Sequence, residues 1–384
     1  MKKNILIIAM ILIGGLTITA GIILFQRWNR PLGASLELPT RTPISEIQTG
    51  PTDLRPTATV TGNLPIETPS LVTEGIPLPT NTMEPTKPVT VCGGPPLMYI
   101  LGVGVDTNDP NYLYGLADVI RIVRVDFIKP KVTVLTLPRD LWVEIPDIVE
   151  KYADTITHGK LNQSYLYGGP GMLYYDGPGG GPGLLARTIA HNYGLYVDYY
   201  GAVNMSAFEK IVDALGGIDI YLDQDWDGRP VDENTVDLGY FTAGQHHMNG
   251  SEALRFARIR KKYSEVTRTD NQTLVICALK DKMLSPSVVG SVPKLIDALI
   301  GTIQTDLSPA QISQLMCVLP KLSDDDLQFI RFPDEKMVQG RVYDPNLGNT
   351  TFVWDIPIED IRQFVRDFEN DAIPVKSSGG MMCP

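Results

Sequence analysis

Apolar and polar positions divide this chain into three regimes. Residues Ile5 to Phe25 are almost wholly apolar and uncharged, long enough to cross a bilayer as one helix. From Pro31 to Thr90 proline and threonine dominate and aromatic residues are few, so the segment cannot bury enough apolar surface to fold. Its prolines predict a stiff, extended spacer. Beyond it, short apolar runs alternate with helical periods. Leu97 to Gly104 fits a buried strand. Val119 to Phe127 and Val132 to Leu137, joined at Lys129-Pro130-Lys131, predict two adjacent strands. Phe208, Ile211, Val212 and Leu215 recur at helical spacing until Gly216 stops them, and Ile218 to Leu222 resumes as a strand. Ser308, Pro309 and Gln311 mark the start of a helix carrying Ile312, Leu315, Met316 and Leu319. Ile358, Ile361, Phe364, Val365 and Phe368 mark a last amphipathic helix. This alternation predicts an α/β fold, a mixed sheet with helices on both faces.

The predicted organisation is therefore a signal anchor over 1–30, a disordered Pro/Thr-rich linker over 31–90, and one domain over 91–384 ending in a helical extension. Lys2 and Lys3 precede the apolar run and no small-x-small cleavage site follows, so an uncleaved anchor with the domain outside the cell is expected. The four cysteines (Cys92, Cys277, Cys317 and Cys383) form no metal-binding pattern, and an oxidising compartment permits disulfides. Cys277 and Cys317, both on apolar sides of predicted helices, are the expected pair. The net charge of −11 argues against a nucleic-acid partner.

Against that acidic balance, Asn249 to Gln272 crowds Arg255, Arg258, Arg260 and Arg268 together. Guanidinium forks match phosphate oxygens two at a time, so an anion, first of all a phosphate, is the expected ligand. A solvated basic face paired with carboxylates is the plain alternative. Asn249 with Glu252 predicts a capped helix before Arg258, and a second helix from Thr269 places Arg268 and Gln272 near its amino end, which also attracts anions. Asp106 and Asp118, at neighbouring strand ends, suit a hard cation such as Mg²⁺, though aspartate is also an ordinary turn residue. Arg139 and Asp140 follow the third strand at the sheet's rim, where open α/β sheets bind ligands. Lys160 offers a point charge to a phosphate. The run from Gly168 to Gly183 reads as an irregular flap or groove wall. His246 and His247 are adjacent and seldom share a metal, and no serine or cysteine triad is present.

In this order GVGVD ending at Asp106, Asp118-Val119-Ile120, LTLPRD ending at Asp140, GKLNQSYLYGG, VDALGGIDIYL, FTAGQHHMNGSEALRFARIR and Arg268-x-x-x-Gln272 resemble the LytR-CpsA-Psr family across roughly Leu97 to Phe332. The resemblance implies an α/β/α sandwich held at the cell membrane. It implies a phosphotransferase that moves a glycopolymer, such as teichoic acid, from a polyprenyl pyrophosphate carrier to peptidoglycan. It implies that Asp106 and Asp118 hold Mg²⁺, that Arg139, Arg258, Arg260, Arg268 and Gln272 grip the pyrophosphate, that Lys160 is the family's lysine, and that the polyprenyl tail lies between the sheet and its helices. On this reading Arg258 and Arg260 form one anion clamp with Arg139, and Asp106 or Asp140 takes the acceptor's proton. Water as acceptor would make the protein a pyrophosphatase. A non-catalytic binder of lipid-linked glycans is the alternative of another class. One position departs: Leu116-Ala117-Asp118 stands where the family reads Arg-Ser-Asp. Arg121 and Arg124 would point to opposite faces of the strand, so at most one can compensate for the missing arginine, and Arg121, nearer the strand's start and so closer to the metal, is the expected one.

Overall fold

A computed structural model of the chain describes residues 25–38, 88–260, 262–285, 301–373 and 381–383. The expected anchor, apart from Phe25 and the residues that follow it, and most of the Pro/Thr-rich stretch lie outside them. Among the described residues no helix is long and apolar enough to cross a membrane.

A seven-stranded mixed sheet organises the domain. Three strands are those expected from the apolar runs: β1 (Leu97–Val105), β2 (Ala117–Asp126) and β3 (Lys131–Thr136). β1–β2 and β2–β3 pair antiparallel. β6 (Tyr199–Asn204) pairs parallel with β1, and β12 (Leu327–Arg331) parallel with β3. Two short edge strands, β11 (Gln304–Thr305) and β15 (Met381–Met382), complete the order β11-β6-β1-β2-β3-β12-β15. Smaller antiparallel pairs flank it: β4 (Trp142–Glu144) with β5 (His158–Lys160), β7 (Ile218–Leu222) with β10 (Gly244–Met248), β8 (Trp226–Asp227) with β9 (Tyr240–Phe241), and β13 (Val338–Asp344) with β14 (Asn349–Asp355).

Residues of β1 to β3 alternate between two cores, as a sheet buried on both faces requires. On one face Leu101, Val103, Ile120, Ile122 and Leu135 meet Leu161, Leu184, Leu185 and Phe368. Those come from α2 (Leu161–Gly168), α3 (Gly180–Tyr193) and α8 (Ile358–Glu369), which follow a single short turn, α1 (Glu150–Ala153). On the other face Met98, Ile100, Val125 and Val134 meet Cys277 of α6 (Glu265–Leu284) and Val318 of α7 (Pro309–Val318). Also on that side, α4 (Met205–Ala214) and α5 (Gly250–Ala257) join α6 around Val212, Ile220, Phe256 and Val275. The expected three layers are present.

Local signals held where they were strong. Asn249 and Glu252 form a reciprocal capping box on α5, and Ser308 and Gln311 form one on α7, with Pro309 in its first turn. Three expectations need correction. First, Gly180 to Gly183 is no flap but the opening turn of α3. A Cβ on Gly168 would stand 2.6 Å from the Gly180 carbonyl oxygen, and one on Gly181 would stand 2.8 Å from that of Tyr165. Close approach of two helices, not local propensity, placed glycine there. Second, the cysteines pair as Cys92–Cys317 and Cys277–Cys383. Cys277 is buried under the sheet whereas Cys317 is exposed on α7, and each is met by a cysteine from outside the predicted helices. The Cys92 segment is pinned by a bond from the Val91 amide to the Phe127 carbonyl, and the Cys383 segment by β15 pairing on β12. Losing a native disulfide typically costs about 2–5 kcal/mol.

Third, residues 31–38, read as the start of the spacer, are fastened to the domain. The Leu32 amide donates to the Leu307 carbonyl at 3.2 Å, and the Tyr200 hydroxyl donates to the Ala34 carbonyl at 3.1 Å. The Arg187 guanidinium donates to the Leu36 carbonyl at 3.2 Å, and Leu36 is 1% exposed within the first core. Leu36→Ala is therefore expected to lower unfolding free energy by about 2–4 kcal/mol, as truncation of a buried leucine does. Urea denaturation checks this, and a change under 0.5 kcal/mol, the range of exposed positions, would return the segment to the spacer.

Candidate functional site

The site forms where β1 and β2 end. Asp118 is the extra residue of a bulge, since Gly104 pairs with Val119 but Val105 with Ala117. A bulge re-aims a side chain. The Leu116 carbonyl accepts from the backbone amides of both Asp106 and Asp118, each at 2.9 Å, and so holds the two aspartates side by side. Sequence spacing had placed them at neighbouring strand ends, but only this irregular pairing brings them together.

Between this strand end and α4, α5 and α6 lies a cavity of about 580 Å³. Its interior is apolar, with Val203, Phe208, Ile211, Val275, Ile276 and Leu279 among its walls. Asp106, Asp118, Arg258, Arg260, Arg268 and Gln272 also line it. Arg258 reaches it as the C-cap of α5. Arg268 and Gln272 reach it from the first two turns of α6, which starts at the Ser264 cap, earlier than the expected Thr269.

Arg139 stands behind Asp118, outside the cavity lining. It pairs with Asp118 at 2.6 Å, Asp140 at 3.2 Å and Glu265 at 3.5 Å. Arg268 pairs with Asp118 at 3.7 Å and with Glu265, and it donates to the Asp118 carbonyl at 3.1 Å. Arg260 reaches Glu265 at 3.9 Å. Glu265 thus touches three of the arginines, a role sequence reasoning missed. The available signal was its place directly after a serine cap and three residues before Arg268, where an i,i+3 ion pair forms. Asn162, within the motif that contains Lys160, approaches the Asp118 carboxylate at 3.5 Å. Burial pulls the Arg139 pKa down, but the carboxylates of Asp118, Glu265 and Asp140 outweigh it and leave it raised. Burial and then the nearby Arg139 draw Arg268 below its ordinary value, despite Glu265 and Asp118.

Three expected site residues sit elsewhere. Asp140 is 8% exposed and its carboxylate is occupied by Arg139 and, at 2.9 Å, by Lys160, so neither Asp140 nor Lys160 lines the cavity. Arg121 does lie on the cavity side of the sheet, but its guanidinium is turned under α6. There it donates to the Thr269 carbonyl at 3.3 Å and the Thr273 hydroxyl at 3.2 Å, over the Phe329 ring. Burial brings its pKa down to about 10, so it stays charged at neutral pH, yet it does not replace the arginine missing at Leu116. Arg124 points to the face opposite Arg121, toward Asp371, as expected of residues three apart on a strand. Arg255 turns from the cluster onto the Phe241 ring. The neighbours His246 and His247 bond to the Thr242 carbonyl and to Asp219. Among the described residues no group of three or more His, Cys, Asp or Glu converges on one point.

The site is thus an apolar cavity with arginines and two aspartates along its lining. The LytR_cpsA_psr family profile matches residues 91–356, and the chain belongs to this family. The relative "Polyisoprenyl-teichoic acid--peptidoglycan teichoic acid transferase TagU" of Oceanobacillus iheyensis is 30% identical over 220 residues, which cover 56% of this chain and 61% of the relative. "Regulatory protein MsrR" of Staphylococcus aureus is 26% identical over 255 residues, 65% of this chain and 68% of that relative. The crystal structure of Bacillus subtilis TagV shares the fold at a TM-score of 0.53 and 22% identity, covering 72% of this chain and 98% of TagV.

Proposed function

We propose that the protein is a membrane-held phosphotransferase that moves a glycopolymer from a polyprenyl pyrophosphate carrier to peptidoglycan outside the cell. The observation that carries this reading is the apolar cavity bordered by Asp106, Asp118, Arg258, Arg260, Arg268 and Gln272. A polyprenyl chain fills the interior and the pyrophosphate meets the arginines. TagU, the relative named above, bears a name for transfer of this kind. The apolar run at 5–25 supplies the anchor, and two disulfides suit an oxidising compartment.

Asp106 and Asp118 would hold Mg²⁺. Two carboxylates from adjoining strand ends fit an ion that keeps several waters and takes its remaining ligands from substrate phosphates. When bound, it neutralises charge on the phosphates as that charge builds up. The arginines do the same by charge-assisted bonds, set beforehand by Glu265 and Asp118. An acceptor sugar hydroxyl attacks the phosphorus that carries the glycan. The new P–O bond forms as the bond to the lipid phosphate breaks, and polyprenyl phosphate leaves. Of the two carboxylates weighed for the hydroxyl's proton, Asp140 is occupied by Arg139 and Lys160, which leaves Asp106 as the exposed one.

The test supplies the full chain in detergent with a polyprenyl pyrophosphate-linked glycan and peptidoglycan oligomers. The expected product is the glycan joined to peptidoglycan through a phosphodiester, formed with Mg²⁺ and lost in excess chelator. Release of glycan phosphate to water alone would make the protein a pyrophosphatase. Tight binding of the lipid with no turnover would make it a binder. Full transfer in chelator would remove the metal from the reading.

A further inference from the structure

The tail cavity lies over β6, β1 and β2, on one side of the arginine cluster. Phosphoryl transfer places the attacking and leaving oxygens roughly in line. The lipid phosphate is the leaving group, so the acceptor must arrive from the side away from the tail. On that side, over β2, β3 and β12, a narrow cleft of about 40 Å³ shares Asp118, Val119, Arg268 and Gln272 with the cavity. Arg139 and Trp354 line the cleft on its far side. Trp354 also walls a separate recess of about 310 Å³, together with Trp142, Tyr193, Arg341 and Asp355. Trp354 is the one residue common to the linings of cleft and recess, so the aromatic recess, between β4, the β13–β14 hairpin and the start of α8, adjoins the cleft at that side chain.

We propose that this recess is the subsite for the acceptor glycan strand. The proposal rests on the phosphotransfer reading and names where its second substrate binds. The volume is at the lower end of small-ligand sites, which run from about 300 to 1,000 Å³. Sugar rings have an apolar face and polar edges, and the recess offers both counterparts. Trp142 stacks on His158, with centroids 6.5 Å apart and planes 14° apart, and Trp354 meets Phe352 edge to face at 5.0 Å. Both indoles are thus held in place at low entropic cost while staying only half-buried. The side chains of Arg341 and Asp355 have no ion-pair or hydrogen-bond partner among the described residues, so both are available to ring hydroxyls and amides. The acceptor's hydroxyl passes Trp354 and reaches the phosphorus across the Asp118–Arg139 pair. Its oxygen bonds to phosphorus, its proton passes to a carboxylate of the site, and the lipid phosphate departs with the electrons of the broken P–O bond.

The experiment uses the full chain in detergent and a soluble tetrasaccharide of alternating N-acetylglucosamine and N-acetylmuramic acid. Calorimetry measures its binding without donor, and transfer kinetics measure the concentration giving half-maximal rate. Trp142→Ala and Arg341→Ala are each expected to raise both quantities about tenfold. Trp142→Phe, which keeps a ring, should recover most of the loss. Melting curves exclude variants that fail to fold, and the exposed Arg341 provides the variant least able to disturb the core. Binding of tetrasaccharide by both alanine variants as tight as by the parent would overturn the subsite. So would an equal loss of affinity for the lipid donor, since that points to the arginine cluster and not to the recess. A parent chain that binds tetrasaccharide through Trp142 and Arg341 but transfers nothing would uphold the subsite and refute the phosphotransfer reading alone.

Discussion

Asp106→Ala is expected to lower transfer at least about a hundredfold while leaving the melting temperature unchanged. The loss is of the size seen when one preorganised charge-stabilising group is removed. The side chain is exposed and no described residue bonds to its carboxylate, so truncation leaves nothing stranded. Asp118→Ala should cost as much activity but should also destabilise the fold. Its carboxylate balances Arg139 and Arg268, whose side chains are 13% and 8% exposed. Removing one partner of a buried pair costs about 3–5 kcal/mol, and the 24% exposure of Asp118 places this case near the lower end. Turnover and thermal unfolding of the two variants separate the roles. Wild-type turnover in Asp106→Ala would sink the metal assignment. An unchanged melting point in Asp118→Ala would show that solvent, not Asp118, balances the arginines.

Arg258→Ala is expected to weaken binding of a polyprenyl pyrophosphate at least about tenfold. A hydrogen bond between charged groups contributes about 1.5–3 kcal/mol, and no other described residue occupies the Arg258 guanidinium. Arg260→Ala should cost less, because part of its charge is already answered by Glu265 at 3.9 Å. Arg121→Ala supplies the contrast. Its guanidinium bonds to α6 beneath the site, so stability and not lipid affinity should fall. Calorimetry with a soluble short-chain analogue is the measurement. Equal affinity in parent and Arg258→Ala would return the cluster to a solvated basic face. A loss in Arg121→Ala matching that in Arg258→Ala would restore Arg121 to the pyrophosphate site.

Expectation and structure part wherever a residue's role depends on distant partners. Arg139, Arg258 and Arg260 were expected to form one clamp because the family resemblance assigns all three to the pyrophosphate. In the fold Arg139 answers Asp118, Asp140 and Glu265, while Arg258 and Arg260 line the cavity. Asp140 looked free because its partner Lys160 lies twenty residues on. The disulfides could not be read from helical faces, because each helical cysteine pairs with one outside the predicted helices, Cys317 with Cys92 and Cys277 with Cys383.

By itself the sequence determined the strands β1 to β3 and β7, the helices α4, α7 and α8, and the capped start of α5. Each follows from signals within a few residues: runs of β-branched side chains, apolar positions at helical spacing, and serine or asparagine answered three residues later by glutamine or glutamate. It also placed aspartates at two adjacent strand ends and gathered arginines into one short stretch. Tertiary structure alone decided the rest. It fastened residues 31–38 to the core through Leu36, Tyr200 and Arg187. It made a helix of a glycine run, because two helices approach too closely for larger residues. It turned Arg121 under α6, made Glu265 the shared counter-charge, and opened the apolar cavity between β1 and α6. Local patterns are set by neighbours along the chain, whereas burial, ion pairing and cavities are set by residues that only packing brings together.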